Sequence, residues 1–385
     1  MAKEKSEVVI VPCDTYDEER VYACMKKGIE ALGGIGAFVT KEEKILVKPN
    51  LLSPSEEEKA VTTHPAVIKA MLRILHESGY DHVVFGDSPG HGSCKNAADK
   101  LGLTPDNTYG AKLVPMDQEA VVSFPEGMTC REFYFTRDVT EADAIINLCK
   151  MKTHALERIT GGVKNVYGLI CGHRKAAGHV KFPNASIFAR MLVDIHRCVK
   201  PRLHIMDGII AMEGNGPGSG EPTPMNVLLF SKDPVAMDTA FCYLVNLDPE
   251  LIPTNTQGQA MGLGTYYEEE IELIIACENG YEHVTREELY KAYGNGSFDV
   301  PREAPKRTFL ANFSTVMTKF ARRPYIDKKA CVCCGVCVSH CPVPGKAVRF
   351  DRGKEKPPVY DYKKCIRCYC CQEMCPKHAI KVRGR

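Results

Sequence analysis

The chain of 385 residues has no tryptophan, and aromatic residues make up only 8% of it. It has no apolar run approaching 18 residues, so the pattern contains no membrane-spanning helix. The polar start Met1-Ala-Lys-Glu-Lys-Ser-Glu7 leads into Val8-Val-Ile-Val11, which is too short for the hydrophobic region of a secretory signal. With nothing marking the chain for export, a disulfide framework is not expected. Neither G-x-x-x-x-G-K-[ST] nor G-x-G-x-x-G occurs as a nucleotide signature, and no H-E-x-x-H pattern supports a mononuclear metal on a helix. No flavin or nicotinamide fingerprint is visible. A hydrophobic content of 44% with 25% charged residues excludes a disordered chain.

Cysteine is abundant, with 19 in all. Eight of them fall as Cys331-x-x-Cys334-x-x-Cys337-x-x-x-Cys341-Pro342 and Cys365-x-x-Cys368-x-x-Cys371-x-x-x-Cys375-Pro376. Matching cysteines are 34 residues apart in all four pairs, which marks an internal repeat. Three thiolates at this spacing wrap one iron–sulfur cube, and the fourth, before Pro, turns away to the other. The expected ligand sets are therefore Cys331, Cys334, Cys337 and Cys375 on one [4Fe-4S] cluster, and Cys365, Cys368, Cys371 and Cys341 on a second. Zinc is disfavoured because it takes two separated cysteine pairs per tetrahedral site. This segment resembles bacterial two-cluster ferredoxins, apart from a longer stretch after the first motif. Cys333 and Cys370 are surplus neighbours of the ligands. Such cofactors imply single-electron transfer with an electron donor or acceptor protein, in a reducing cytoplasm and an anaerobic or microaerobic cell.

The net charge of +2 hides an asymmetry. Residues 326–385 hold 14 Lys and Arg against 5 Asp and Glu, a net of +9, leaving −7 for the remainder. A basic tail of this kind offsets the charge of thiolate-ligated clusters, and docks on its own body or on an acidic electron donor. Nucleic-acid binding is not expected without a helix or aromatic platform to present those charges. The length exceeds one typical core. The expected division is an α/β body over 1–295, a linker over 296–325 rich in Gly, Pro and basic residues, and a small α+β cluster domain over 326–385.

Along the body, apolar strand patterns at 8–11, 44–50, 82–86, 144–148, 203–206, 226–230 and 271–276 alternate with helical ones at 17–32, 64–78, 184–199, 234–245 and 285–293. Such alternation predicts a largely parallel sheet with helices on both faces. Thr63 is the expected N-cap of the second helix, with Pro65 in its first turn. The run Met212–Gly220 reads as a loop because of its Gly and Pro breakers.

In open parallel sheets ligands bind beyond the carboxyl ends of strands. Here those ends are polar: Lys48 and Asn50, Asp87 and Ser88, Lys152 and His154, and Asp207. Turn and cap preferences offer a local explanation for each of them. Between Thr160 and His179 the glycines free backbone amides to approach an anion, and Lys164 and Arg174 offer counter-charge. His154, His173 and His179 are candidate acid–base groups, metal ligands or structural groups, and Cys171 reads as an ordinary thiol ahead of a nucleophile. Lys152, His154 and Lys164 are the candidate catalytic residues. Lys48, Asn50, Asp87, Ser88, Asn165 and Asp207 are the candidate binding residues for a small anionic substrate.

Eight stretches of the body, in order, resemble the uncharacterised family called DUF362: Lys48-Pro-Asn-Leu-Leu52, Thr62-Thr-His-Pro65, Gly86-Asp-Ser-Pro89, Ala144-Ile-Ile-Asn147 through Lys152-Thr-His154, Lys164-Asn-Val-Tyr-Gly168, Asp207-Gly208, Glu213-Gly-Asn-Gly-Pro217 and Asp233-Pro-Val-Ala-Met-Asp238. The resemblance implies an α/β body, which in some members carries a ferredoxin-type tail, and confers no activity. Three functions follow from the residues: an iron–sulfur oxidoreductase, an electron-transfer adaptor for a partner enzyme, and a non-redox lyase or isomerase with structural or sensing clusters.

Overall fold

The computed structural model describes residues 5–303 and 322–383, apart from positions 183, 279 and 352. The expected linker falls largely outside the described residues. Twelve strands form in the body: β1 (Ser6–Pro12), β2 (Ile45–Lys48), β3 (Val83–Phe85), β4 (Lys112–Leu113), β5 (Glu119–Ser123), β6 (Glu132–Thr136), β7 (Ala144–His154), β8 (Arg158–Thr160), β9 (Leu203–Glu213), β10 (Glu221–Ser231), β11 (Ile271–Cys277) and β12 (Gly280–Val284). Ten join one sheet in the order β12-β11-β1-β10-β9-β7-β2-β3-β4, with β8 folded back on β7. The neighbours from β9 through β7, β2 and β3 to β4 are all parallel, as are β1 and β11, whereas β10 and β12 run against their partners. The sheet is mixed and mostly parallel, in agreement with the strand–helix alternation.

Side-chain alternation sorts β1 and β10 between two cores. Val9, Val11, Leu228 and Phe230 face one core, against helices Glu18–Ala31, Pro65–Glu77 and Ala185–Val199. Val8, Ile10, Val227 and Leu229 face the other, against helix Pro234–Leu244. Covering both faces explains why β7 is buried along all eleven residues. Its polar members Asn147, Lys150, Lys152 and His154 must then find partners inside the protein.

One expected cap moves by a residue. Helix Pro65–Glu77 is capped by His64, whose Nδ1 accepts from the Ala66 amide. Thr63 is spent elsewhere, accepting from the Asn50 amide and donating to the Leu148 carbonyl at 2.9 Å. Helices Gly172–Lys181 and Pro253–Ala260 and strands β5 and β8 are additions to the sequence reading.

The tail repeats itself in backbone as in sequence. Short helices Val336–Ser339 and Cys370–Glu373 follow left-handed residues Gly335 and Tyr369, and a second left-handed pair falls at Cys333 and Arg367. Strand Arg323–Ile326 pairs with Ile380–Arg383, and Val348–Arg349 with Val359–Tyr360.

Candidate functional site: a polar cavity walled by the cysteine-rich tail

Parallel pairing brings the carboxyl ends of β2, β3 and β7 to one edge, where a chain of buried polar contacts assembles. Lys48 Nζ lies 2.9 Å from Asp87 Oδ1 and donates to the Pro49 carbonyl and to Asn165 Oδ1. Asn50 Nδ2 also donates to Asn165 Oδ1, and Lys152 Nζ donates to Asn50 Oδ1 at 2.8 Å and to the Val61 carbonyl at 2.6 Å. Asn165 Nδ2 reaches Asn147 Oδ1, which anchors the chain in the centre of the sheet. The second Asp87 oxygen accepts from the Leu51 amide. Burial pushes the Lys48 and Lys152 ammonium groups down in pKa; Asp87 opposes this for Lys48, while Lys164 adds to it for Lys152.

A cavity of about 100 Å³ opens beside this chain, between the body and the tail. Asn50, Asp87, Ser88, Lys164, Asn165, Lys175 and His179 line it from the body, and His340, Cys370, Glu373 and Met374 from the tail. Lys164 has no ion pair or hydrogen bond among the described residues. Thr160 Oγ1 and His179 Nδ1 also line the space and are buried without a hydrogen-bond partner among those residues. Buried polar atoms are nearly always paired, so these two are open to a partner that the described residues do not supply. Burial pushes Lys175 down to about 8, against the pull of Asp87, and its ammonium donates to the Ser88 carbonyl.

The tail closes the cavity through helix Cys370–Glu373. His154 Nδ1 accepts from the Leu156 and Glu157 amides, which leaves the ring proton on Nε2, 2.8 Å from Glu373 Oε1. Burial lowers the His154 pKa to about 4; Glu373 is held well below the usual carboxylate range by His154 and Lys164, which outweigh its own burial. Gln372 Nε2 donates to the Asn215 and Gly216 carbonyls, and Asn215 Nδ2 donates to the Ile380 carbonyl. Replacing Glu373 with alanine leaves the His154 proton facing empty space. Hydrogen exchange in residues 370–376 is expected to rise at least tenfold in that variant; unchanged protection would mean that this contact does not hold the tail.

Not every expected residue reaches the cavity. Lys48, Lys152 and His154 stand behind its wall and hold Asp87, Asn50 and Glu373. Asp207 lies apart, paired with Lys150 at 2.7 Å and accepting from Tyr16 Oη at 2.8 Å, with His64 stacked on Tyr16. Arg174 points outward to both oxygens of Glu119, and Lys175 takes the place expected for it. Glu119, Cys171 and His173 bring ligand atoms within 4.8 Å of one another, but Arg174 already neutralises that carboxylate. Sequence reasoning missed Lys175, Thr160 and Glu373. The last carried a signal, as the one carboxylate between Cys365 and Cys375.

The imidazoles give the body an acid limit. His154, His179 and His196 are each lowered to about 4, with burial the largest cause. A lowered histidine favours the fold above its unfolded pKa near 6.5, and that contribution is lost as pH falls from there through 4. The depressed Glu373 titrates below this window. Each histidine costs about 2 kcal/mol at pH 5 relative to pH 7, so the urea midpoint should drop sharply between them. His179→Phe, which keeps the ring stacked on Phe188, is expected to recover about 2 kcal/mol of that loss at pH 5.

In the tail, one pocket is lined by Cys331, Cys334, Cys337 and Cys375 together. Cys341, Cys365 and Cys371 pack in the same apolar cluster, and every cysteine is a free thiol. Backbone amides donate to the fourth sulfur of each motif at the same distance, Ala347 N to Cys341 Sγ and Ala379 N to Cys375 Sγ, both 3.3 Å. Hydrogen bonds to the sulfurs are among the contacts by which a protein tunes an iron–sulfur group. The residues therefore fit an iron–sulfur group.

Residues 323–376 match the profile of the 4Fe-4S dicluster domain, and residues 45–243 match the domain of unknown function DUF362. Fold and cysteines together define an iron–sulfur protein on an α/β body. The chain belongs to the DUF362 family. It is 33% identical over 263 residues to the thylakoid-associated protein sll1697 of Synechocystis, covering 66% of this chain and 79% of that one. Among solved structures it is similar to the lactate racemase apoprotein from Thermoanaerobacterium thermosaccharolyticum (12% identity, TM-score 0.39, 62% of this chain and 56% of that one). A structural-genomics protein from Thermotoga maritima is also similar (19%, 0.35, 55% and 54%). The chain spans little over half the length of either solved chain. Among the described residues no helix is long and apolar enough to cross a membrane.

Proposed function

We propose that the protein is an iron–sulfur oxidoreductase that binds a small anion in the cavity beneath its tail. Cys331, Cys334, Cys337 and Cys375 hold one [4Fe-4S] cluster, and Cys365, Cys368, Cys371 and Cys341 hold another. When bound, each supplies a site that gains or loses a single electron. Cys333 and Cys370 are not ligands in this reading. Arg367 and Val336 occupy their places in the other half of the repeat with the same backbone.

The observation that carries the proposal is helix Cys370–Glu373, which belongs to the second cysteine motif and also forms one wall of the cavity. Lys164 supplies the unpaired positive charge for a carboxylate or phosphate. Ser88, Asn165 and Asn50 orient it, and Thr160 and His179 complete its hydrogen bonds. Lys175, at about 8, exchanges a proton near neutral pH and is the group suited to protonating a reduced product. Lys152 and His154 act through Asn50 and Glu373 as positioning residues. A reducing cytoplasm suits this chemistry.

The test is anaerobic. Oxalate and inorganic phosphate are titrated into dithionite-reduced protein while the electron paramagnetic resonance spectrum is followed. A saturable change in the signal of one centre is expected, abolished in Lys164→Ala. No change with either anion, in protein that carries its iron, would overturn the cavity's assignment.

A further inference from the structure

The two halves of the cysteine repeat face different surroundings. In the second half Cys368 and Cys371 are buried, and the helix that begins at Cys370 lies against the body. In the first half Val332 is 57% exposed and Cys334 is exposed, although both sit in the wall of the pocket formed by Cys331, Cys337 and Cys375. An apolar side chain left open beside a cluster site is a place where a partner can approach closely and exclude water.

Charge surrounds that opening. Lys328 and Lys329 are exposed in the turn just before Cys331, and exposed Lys377 lines the rim. None of the three has an ion pair among the described residues, whereas Asp327, the nearest acid in sequence, is taken by Lys381. The tail carries +9, more than two clusters and their eight thiolates need within the fold, and the body it is tied to is acidic.

We propose that the surface around Val332 and Cys334, ringed by Lys328, Lys329 and Lys377, is the docking site of an acidic one-electron carrier protein. The inference rests on the iron–sulfur reading above. In the exchange the carrier is oxidised by one electron and the centre held by Cys331, Cys334, Cys337 and Cys375 is reduced by one; no bond forms and no proton moves. Opposite charges steer such an encounter and make its rate depend on salt.

The full-length anaerobic protein is mixed with photoreduced plant-type [2Fe-2S] ferredoxin, an acidic carrier, and the second-order rate is measured by stopped flow at low and high salt. Carbodiimide cross-links between the two proteins are mapped in parallel. Wild type is expected to react faster at low salt and to cross-link through Lys328, Lys329 or Lys377. The triple variant Lys328→Glu, Lys329→Glu, Lys377→Glu is expected to react about tenfold more slowly or worse, with little salt dependence left. A control with the same charge change on the body, Lys5→Glu, Lys112→Glu, Lys291→Glu, should stay within about twofold of wild type.

A triple variant as fast as wild type, a control equally slow, or cross-links confined to the body would overturn the proposal. So would cross-links joining these lysines to acidic residues of a second copy of the chain. Dithionite, which needs no docking surface, separates the two levels. If it reduces both centres in every variant, the iron–sulfur reading stands whatever the carrier does; if it reduces none in wild type, that reading fails first.

Discussion

Gly168→Ala is expected to destabilise the body by about 3–5 kcal/mol, a large share of the stability of a domain. A β-carbon at that position would stand 1.9 Å from Asp87 Oδ1 and 2.6 Å from Lys48 Nζ. One of the two charged groups must move: Lys48 is fully buried, and Asp87 can swing toward the cavity only by giving up its contacts with Lys48 and the Leu51 amide. Separating a buried pair leaves an uncompensated charge, which costs far more than the pair contributes when intact. Asp87→Ala removes the same partner without the clash and is expected to cost a similar amount. Equilibrium urea unfolding of both variants checks this, and a loss below about 1 kcal/mol in each would show that the pair relaxes into water.

The second large effect concerns binding. Lys164→Ala is expected to weaken oxalate or phosphate binding by about 2–4 kcal/mol, roughly 30- to 1,000-fold. Lys164 makes no hydrogen bond or ion pair among the described residues, and its charge is felt in the ligand-free state mainly at longer range, where it helps keep Glu373 ionised. Its positive charge also depresses the pKa of Lys152, Lys175, His154 and His179 around it. Removing it therefore relieves that repulsion and gives up its hold on Glu373, two effects that oppose each other in the free protein, while deleting the attraction felt by an anion. Stability should change by less than about 1 kcal/mol as affinity falls, a combination that separates a binding residue from a structural one. Loss of stability together with unchanged affinity would reverse the assignment.

The cysteine spacing was legible in the sequence because it is a local covalent pattern; in the fold Cys375 lines one pocket with Cys331, Cys333, Cys334 and Cys337. The sheet was legible because β1, β2, β7 and β9 are apolar runs between helices of clear period. Helix Gly172–Lys181 was not, since two glycines, two histidines and its basic residues obscure any apolar stripe.

The ends of β2, β3 and β7 lie together, whereas Asp207 falls inside β9 and lies apart; which residues open on the cavity depends on side-chain partners that lie far along the chain. Asp207 differs from Asp87 because Lys150 and Tyr16 claim it. Arg174 and Lys175 are neighbours whose side chains part because Glu119 captures the first. Glu373 stands out in the sequence as a lone carboxylate, but its partner His154 lies more than 200 residues away along the chain, so its role could not be read there.

Single-ligand variants read directly which sulfurs share a centre. Iron and sulfide are assayed, and the resonance spectrum recorded, for anaerobically prepared wild type and for Cys334→Ala, Cys341→Ala and Cys371→Ala. Wild type should carry about eight irons and eight sulfides. Cys341→Ala and Cys371→Ala should lose or alter the same signal, and Cys334→Ala the other one. Zinc in place of iron, fewer than about four irons per chain, or a pairing of Cys341 with Cys334 would contradict the crossed arrangement and the cavity chemistry built upon it.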